Sequence, residues 1–228
     1  MKNVKGWTLP DWDNHFEKML KLIEGNYEYQ YEQRAYSFKW VKDFNTNAID
    51  AGSNIGFWSK QMCQKFKHVY AFEPHPENIQ CYKENLKDFN NYTLYDVAIS
   101  NVSDIQMNLY VSPDECGNAS LNDFGVKEGT TDRKLKDLEL KSIKVNVKKI
   151  DDYNFTDIGF IKVDCQNHEK EVVEGGIETI DRCSPVLCLE LPVRTKQETD
   201  YRNYLIDYLK KYRYILRGSL GKETLFTR

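Results

Sequence analysis

The stretch Ala48-Ile49-Asp50-Ala51-Gly52-Ser53-Asn54-Ile55-Gly56 decides the fold class. Residues of strand character run into an acid. Gly52 follows two positions later and Gly56 four beyond that. Phe57, Trp58 and Met62 then read as a helix. A strand that ends in a glycine-bent loop and opens a helix is a nucleotide-binding turn. Glycine lets backbone approach a ligand closely and adopt positive φ. The dinucleotide fingerprint needs a further glycine between Gly52 and Gly56, and the chain lacks it. Asp50, directly before the bend, would repel a pyrophosphate and suits a cationic ligand. S-adenosylmethionine, with an ammonium and a sulfonium, is such a ligand.

About twenty residues on, His68-Val69-Tyr70-Ala71-Phe72-Glu73-Pro74 reads as a second strand ending in an acid. In doubly wound folds a carboxylate at that tip accepts hydrogen bonds from both ribose hydroxyls of an adenosine. Its two acceptor oxygens match a vicinal diol. Glu73 is expected in that role; the plainer alternative is a surface acid at a strand end.

Taken in order, Ile49 to Gly56, Ala71-Phe72-Glu73-Pro74, Val97-Ala98-Ile99-Ser100 and Phe160-Ile161-Lys162-Val163-Asp164 resemble the FkbM family of S-adenosylmethionine-dependent methyltransferases. The resemblance runs from about Asn47 to Pro192. It implies an α/β fold of the Rossmann-like, seven-stranded class I methyltransferase type. It also implies methylation of hydroxyl oxygens, often on sugars or polyketides. The family usually reads Asp-x-Glu-Gly-x-Glu after the fourth strand. Here Asp164-Cys165-Gln166-Asn167-His168-Glu169 puts Gln166 and Asn167 where Glu and Gly would stand.

Composition sets the outer bounds. A chain of 228 residues is long enough for one substantial core. A net charge of -3 gives no global basic field to hold nucleic acid. No window approaches the roughly 18 apolar residues of a membrane span, and Met1 to Pro10 lacks a signal-peptide core. The six cysteines form no C-x-x-C pair and stand at no zinc spacing with histidine, so free thiols in a cytoplasmic protein are expected. The oligomeric state is open.

Residues 1–46 are expected to form a helical lid segment and residues 47–228 the methyltransferase domain, as one structural domain. In the front segment, Trp12, Phe16, Met19, Leu20 and Ile23 share one face of a helix over 11–24, which Gly25-Asn26 stops. Residues 27–43 read as a second helix or two short ones. From 47 onward strands and helices alternate, which implies a parallel sheet with helices on both faces. Pro76 opens a helix at its first turn. Ile105, Met107, Leu109 and Val111 alternate with polar residues, as do Ile143, Val145 and Val147, so the two runs are expected to pair as an inserted β-hairpin. The lysines of the second run read as a solvated face or, more sharply, as a phosphate contact. Pro113 to Thr131 is expected to be a loop. One helix with a glycine-weakened middle is expected around 172–180, and a hairpin closes the chain.

In an open parallel sheet, ligands lie beyond the carboxyl ends of the strands, so the ends at Asp50-Gly52, Glu73, Asp96, Asp164 and Glu190 are expected to converge. Asp50, Gly52, Asn54 and Gly56 are expected around the methionine part of the cofactor. Asp96 would accept from the adenine amino group or cap a turn. Gln30 and Arg34, one helical turn apart, are candidates to hold the methionine carboxylate; Arg34 otherwise reads as a surface charge. Transfer to an alcohol releases a proton, so a base helps. Asp164 and Glu169 match the family pattern as base or hydroxyl acceptors, and His168 is a third candidate. A divalent metal held by Asp164 and Glu169 is possible but not favoured, since Gln166 replaces a carboxylate. The acceptor is expected to be a sugar or another hydroxyl-bearing molecule. Transfer to nitrogen, a small-molecule acceptor of another kind, and a cofactor-binding module without catalysis remain the alternatives.

Overall fold

The structure is a computed structural model that describes residues 1–24, 28–122 and 140–228. Its centre is a seven-stranded mixed sheet. The five parallel strands are β3 (Asn47–Ala51), β4 (His68–Phe72), β5 (Tyr92–Tyr95), β10 (Ile158–Val163) and β11 (Val186–Glu190). The closing hairpin, β12 (Ile215–Leu220) and β13 (Glu223–Thr227), completes the order β12-β13-β11-β10-β3-β4-β5, with β13 antiparallel to both neighbours. After β3 the chain builds outward to β5 and then returns to lay β10 on the other side of β3. The strand order therefore reverses between β3 and β10, and a crevice opens at their carboxyl ends.

Period-two alternation divides the strands between two cores. Ile49, Ile161, Val163, Leu187 and Leu189 face α5 (Glu169–Gly175), α6 (Ile177–Cys183) and α7 (Lys196–Lys210). Ala48, Phe160 and Cys188 face the opposite way, into an aromatic cluster with Trp58 of α3 (Phe57–Cys63), Phe38 of α2 (Tyr31–Phe38) and Tyr82 of α4 (Pro76–Asn85). By the same alternation Asp50 and its register partner Lys162 share the Phe160 face, at the strand ends. Pro76 stands in the first turn of α4, as its missing N–H allows. A capping box between Thr195 and Glu198 starts α7.

The expected inserted hairpin is the pair β7 (Ile105–Val111) and β9 (Lys141–Lys148), in antiparallel register. With β6 (Ala98–Ile99) and β8 (Ala119–Ser120) it makes a second, four-stranded sheet. Residues 123–131 of the expected 113–131 loop lie outside the described residues, and β8 is a strand within its described part. The single helix expected around 172–180 is two, broken at Gly176. Gly175 is required there because a Cβ would stand 2.0 Å from the Ser100 carbonyl oxygen.

The front segment also differs from expectation. It begins with a hairpin, β1 (Lys2–Val4) and β2 (Trp7–Leu9), ahead of α1 (His15–Leu22). The Gly25-Asn26 stop lies outside the described residues. Asn85 of α4 pins the hairpin by accepting from Thr8 N at 2.7 Å and donating to Thr8 O at 3.0 Å. Asp13 accepts from Phe16 N and Cys116 N, each at 2.8 Å. These ties make residues 1–24 an integral wall of the crevice.

Candidate active site

Two adjoining cavities occupy the crevice and share Gly52, Asn54, Gly117 and Asp164. Gly52 follows β3 directly and lies against Asp164, which follows β10. Its φ is +79°, and a Cβ there would sit 2.0 Å from the Asp164 carbonyl oxygen. No other residue fits that backbone at that distance. Asn54, also left-handed at φ +50°, turns its N–H onto Glu73 Oε2 at 2.8 Å.

Glu73 is buried at the tip of β4, where Oε1 also accepts from His75 N at 2.9 Å and Asn78 Nδ2 at 3.3 Å. Burial pushes its carboxyl up to about 7 despite these donors. Three donors on a group with about four acceptor sites leave little more than one site for a ligand. The shortfall is met next to it. Asn78 donates to Glu73 and Cys116, which fixes its amide orientation, and its Oδ1 is buried in the same cavity with no partner.

The second cavity is charged. Asp50 is buried and accepts from Ser59 Oγ at 2.6 Å, and burial lifts its carboxyl to about 6. Lys162, beside it in register, is buried on a strand otherwise apolar at its end. Its ammonium lies 3.3 Å from Asp164 Oδ2, 3.8 Å from Glu223 Oε1 and 5.0 Å from the centre of the Trp58 ring. Burial works against its charge, but Asp164 foremost keeps it protonated. Gln30 caps α2 and spans from Trp58 Nε1, from which it accepts at 2.7 Å, to Glu223 Oε1, to which it donates at 3.4 Å. Gln166 and Asn167 both have positive φ, 53° and 66°, so the chain makes the sharp turn after β10 without glycine.

Seven of the residues expected from the sequence thus line the crevice: Gln30, Asp50, Gly52, Asn54, Glu73, Asp164 and His168. Arg34, Gly56, Asp96 and Glu169 line neither cavity. Arg34 is turned away: its guanidinium donates to the Tyr29 carbonyl and meets Glu28 at 2.9 Å, and it lines a separate cavity with Phe38, Phe44 and Lys65. Gly56 packs α3 on α4, where a Cβ would stand 2.3 Å from Leu86 Cδ1, and it lines neither cavity. Asp96 is exposed, while its neighbour Val97 lines the Glu73 cavity. Glu169 is fully buried behind the wall, where its Oε1 accepts from Cys165 N at 2.9 Å and braces the turn. It does not join Asp164 in a metal site, and no group of three metal-ligating side chains occurs among the described residues. His168 lines the Glu73 cavity, bound to Ser100 Oγ at 2.9 Å, and not the cavity of Asp50 and Lys162.

Four further residues of the crevice, Lys162, Asn78, Lys222 and Glu223, belong to no sequence motif that marks them as functional. Lys162 had a signal, a lone cation inside the apolar run Phe160 to Val163. The other three had none.

A sequence profile described as the Methyltransferase FkbM domain matches residues 50–216. The chain belongs to the FkbM methyltransferase family. Among solved structures, this FkbM chain is similar to the methyltransferase FkbM from Methylobacillus flagellatus, at 18% identity and a TM-score of 0.53. The alignment covers 85% of this chain and 48% of that one, so the chain spans about half of its relative's length. It also aligns with a precorrin 8w decarboxylase from Methanobacterium thermoautotrophicum, over 100% of both chains at 13% identity and a TM-score of 0.50. A putative methyltransferase from Streptococcus mutans in complex with SAH aligns over 88% of this chain and 97% of its own, at 13% identity and a TM-score of 0.49. At such identities the likeness is one of fold. No curated protein matches the sequence. No helix among the described residues is long and apolar enough to cross a membrane.

Proposed function

We propose that this FkbM chain binds S-adenosylmethionine and directs its methyl group to a hydroxyl oxygen of a sugar or glycan. The observation that carries this reading is the meeting of Glu73, Gly52 and Asp164 at the point where the strand order reverses. The donor set fits the cofactor. Glu73 and the unpartnered Asn78 Oδ1 offer acceptors for the two ribose hydroxyls. Five acids against two lysines line the second cavity, which suits a ligand carrying positive charge. Lys162 and Gln30, in place of Arg34, would hold the methionine carboxylate.

The cofactor supplies a methyl group made electrophilic by its sulfonium. The chain's own residues bind, orient and manage the proton. Alignment of acceptor and methyl by a rigid crevice can contribute several kcal/mol. Phe16, Met19 and Tyr29 reach over the second cavity from the front segment and act as its cover. A hydroxyl acceptor is favoured over nitrogen because buried carboxyls line the same cavity and can take the proton an alcohol must lose.

Titration calorimetry with S-adenosylhomocysteine tests the first half, with binding at about micromolar or tighter, roughly -8 kcal/mol, expected. Mass spectrometry of a sugar panel incubated with S-adenosylmethionine tests the second. Binding of NAD in place of S-adenosylhomocysteine would sink the reading. Methylation confined to amines would overturn the choice of oxygen.

A further inference from the structure

Two acids at adjacent strand ends, Asp164 after β10 and Glu190 at the end of β11, share one clamp. Gln166 Nε2 donates to Asp164 Oδ1 and to Glu190 Oε2, at 2.9 Å each. Two carboxyls bridged by a single amide nitrogen are too close for both to ionise freely. Their remaining partners differ. Asp164 Oδ2 accepts from Lys162, whose ammonium is shut away from water. Glu190 Oε1 lies 3.0 Å from Lys222 Nζ, on a turn where that lysine is half exposed and solvent weakens its field. The pair is therefore asymmetric. Burial and the charge of Asp164 push Glu190 well above the usual carboxylate range. Burial acts on Asp164 too, but Lys162 and a hydrogen bond from Glu190 outweigh it and hold Asp164 low. Carboxyls that their surroundings drive apart in this way divide the proton-carrying role from the charge-carrying one.

We propose that Glu190 is the base that takes the acceptor's proton, with Asp164 kept beside it as a fixed anion. This rests on the reading of the cavity as a methyl-transfer chamber. The acceptor's O–H proton passes to a Glu190 oxygen. The new oxygen–carbon bond forms as the sulfur–carbon bond breaks, sulfur keeps that electron pair, and Glu190 then yields its proton to water. A carboxylate held above its ordinary range is a stronger base toward an alcohol than an ordinary one. Besides burial, the groups that set its titration are Asp164 after β10, Lys222 from the turn before β13 and Lys162 of β10; Glu223 stands opposite it on β13, and Tyr29 and Glu115 line the same cavity.

The experiment compares the full chain with Glu190→Gln and Asp164→Asn, both of which preserve shape. Infrared difference titration with S-adenosylhomocysteine present follows protonated carboxyls. Turnover on the acceptor that the sugar panel identifies is followed against pH. Over the pH range in which its rate rises, wild type should lose one carboxyl band beyond those of Asp50, Glu73 and Glu169, which titrate in every variant. Glu190→Gln should lack both that band and that rise, and turn over about 10²-fold slower or worse. Asp164→Asn should keep both but at lower pH, since a negative neighbour is gone. Unchanged S-adenosylhomocysteine affinity and thermal midpoint in Glu190→Gln would exclude misfolding. The proposal is overturned if Asp164→Asn is the variant that loses the band, or if Glu190→Gln keeps the wild-type rate and pH rise. A chain that binds no S-adenosylhomocysteine, or methylates no acceptor, refutes the proposed function instead. Infrared titration of the free protein still decides which carboxyl holds the proton.

Discussion

Gly52→Ala is the sharpest test of the crevice, because the molecule contains its own control. Gly52 and Gly6 have nearly the same φ, +79° and +83°, but a Cβ at Gly6 meets nothing within 4 Å. Alanine at either position incurs the left-handed penalty of about 1–2 kcal/mol, offset by about 0.4–1 kcal/mol from the smaller entropy of the unfolded chain. Gly6→Ala should therefore cost about 0–1.6 kcal/mol. At Gly52 the added carbon stands 2.0 Å from the Asp164 carbonyl oxygen and 2.9 Å from its carbon. Both are backbone atoms, so no rotamer change relieves the contact. Restoring an ordinary separation moves the end of β10 by about 1 Å or more, against overpacking costs of about 1–3 kcal/mol. That shift also strains the bond from Asp164 N to Ala51 O, 3.0 Å in the wild type, which contributes about 1 kcal/mol more. Gly52→Ala should be destabilised by about 2–5 kcal/mol, measured by urea unfolding with unchanged slope. Calorimetry should show S-adenosylhomocysteine binding lost, since Asn54, Glu73 and Asp164 shift together. Equal stability losses in the two variants would refute the close-approach argument, and retained affinity in Gly52→Ala would refute the placement of the ligand.

Other variants separate binding from bracing. Glu73→Ala should weaken S-adenosylhomocysteine by about 1–3 kcal/mol and also lower the thermal midpoint, because the Asn54 and His75 N–H groups lose their acceptor; unchanged affinity would remove Glu73 from the ribose site. Lys162→Met should weaken S-adenosylhomocysteine about tenfold or more but leave methylthioadenosine, which lacks the amino acid end, unaffected; equal losses for both ligands would make Lys162 a purely structural cation. Glu169, raised by burial to about 7, contributes stability that is full below its unfolded value near 4.5 and is lost as pH rises through 7. Glu169→Gln should flatten that fall, by at most about 3 kcal/mol in denaturant unfolding between pH 5 and 8, with turnover little changed; a wild-type slope in the variant would contradict this.

The β-loop-α turn at Asp50 to Gly56, the acid at the tip of β4 and the pairing of the Ile105 and Ile143 runs as a hairpin are legible in the sequence alone. Each is written in short-range chemistry: a period of two, a glycine where φ must be positive, an acid a fixed distance downstream. Tertiary structure decided which side chains enter the crevice. Arg34 and Gln30 are one turn apart in sequence, yet Gln30 sits at the helix cap facing Trp58 and Arg34 lies on the far side. Glu169 fits a family pattern but folds behind the wall it braces, while Lys222 and Glu223 arrive from the closing hairpin. Periodicity fixes which residues share a face of their own element. It carries no information about which face the rest of the chain will cover, because that depends on contacts between residues far apart in sequence.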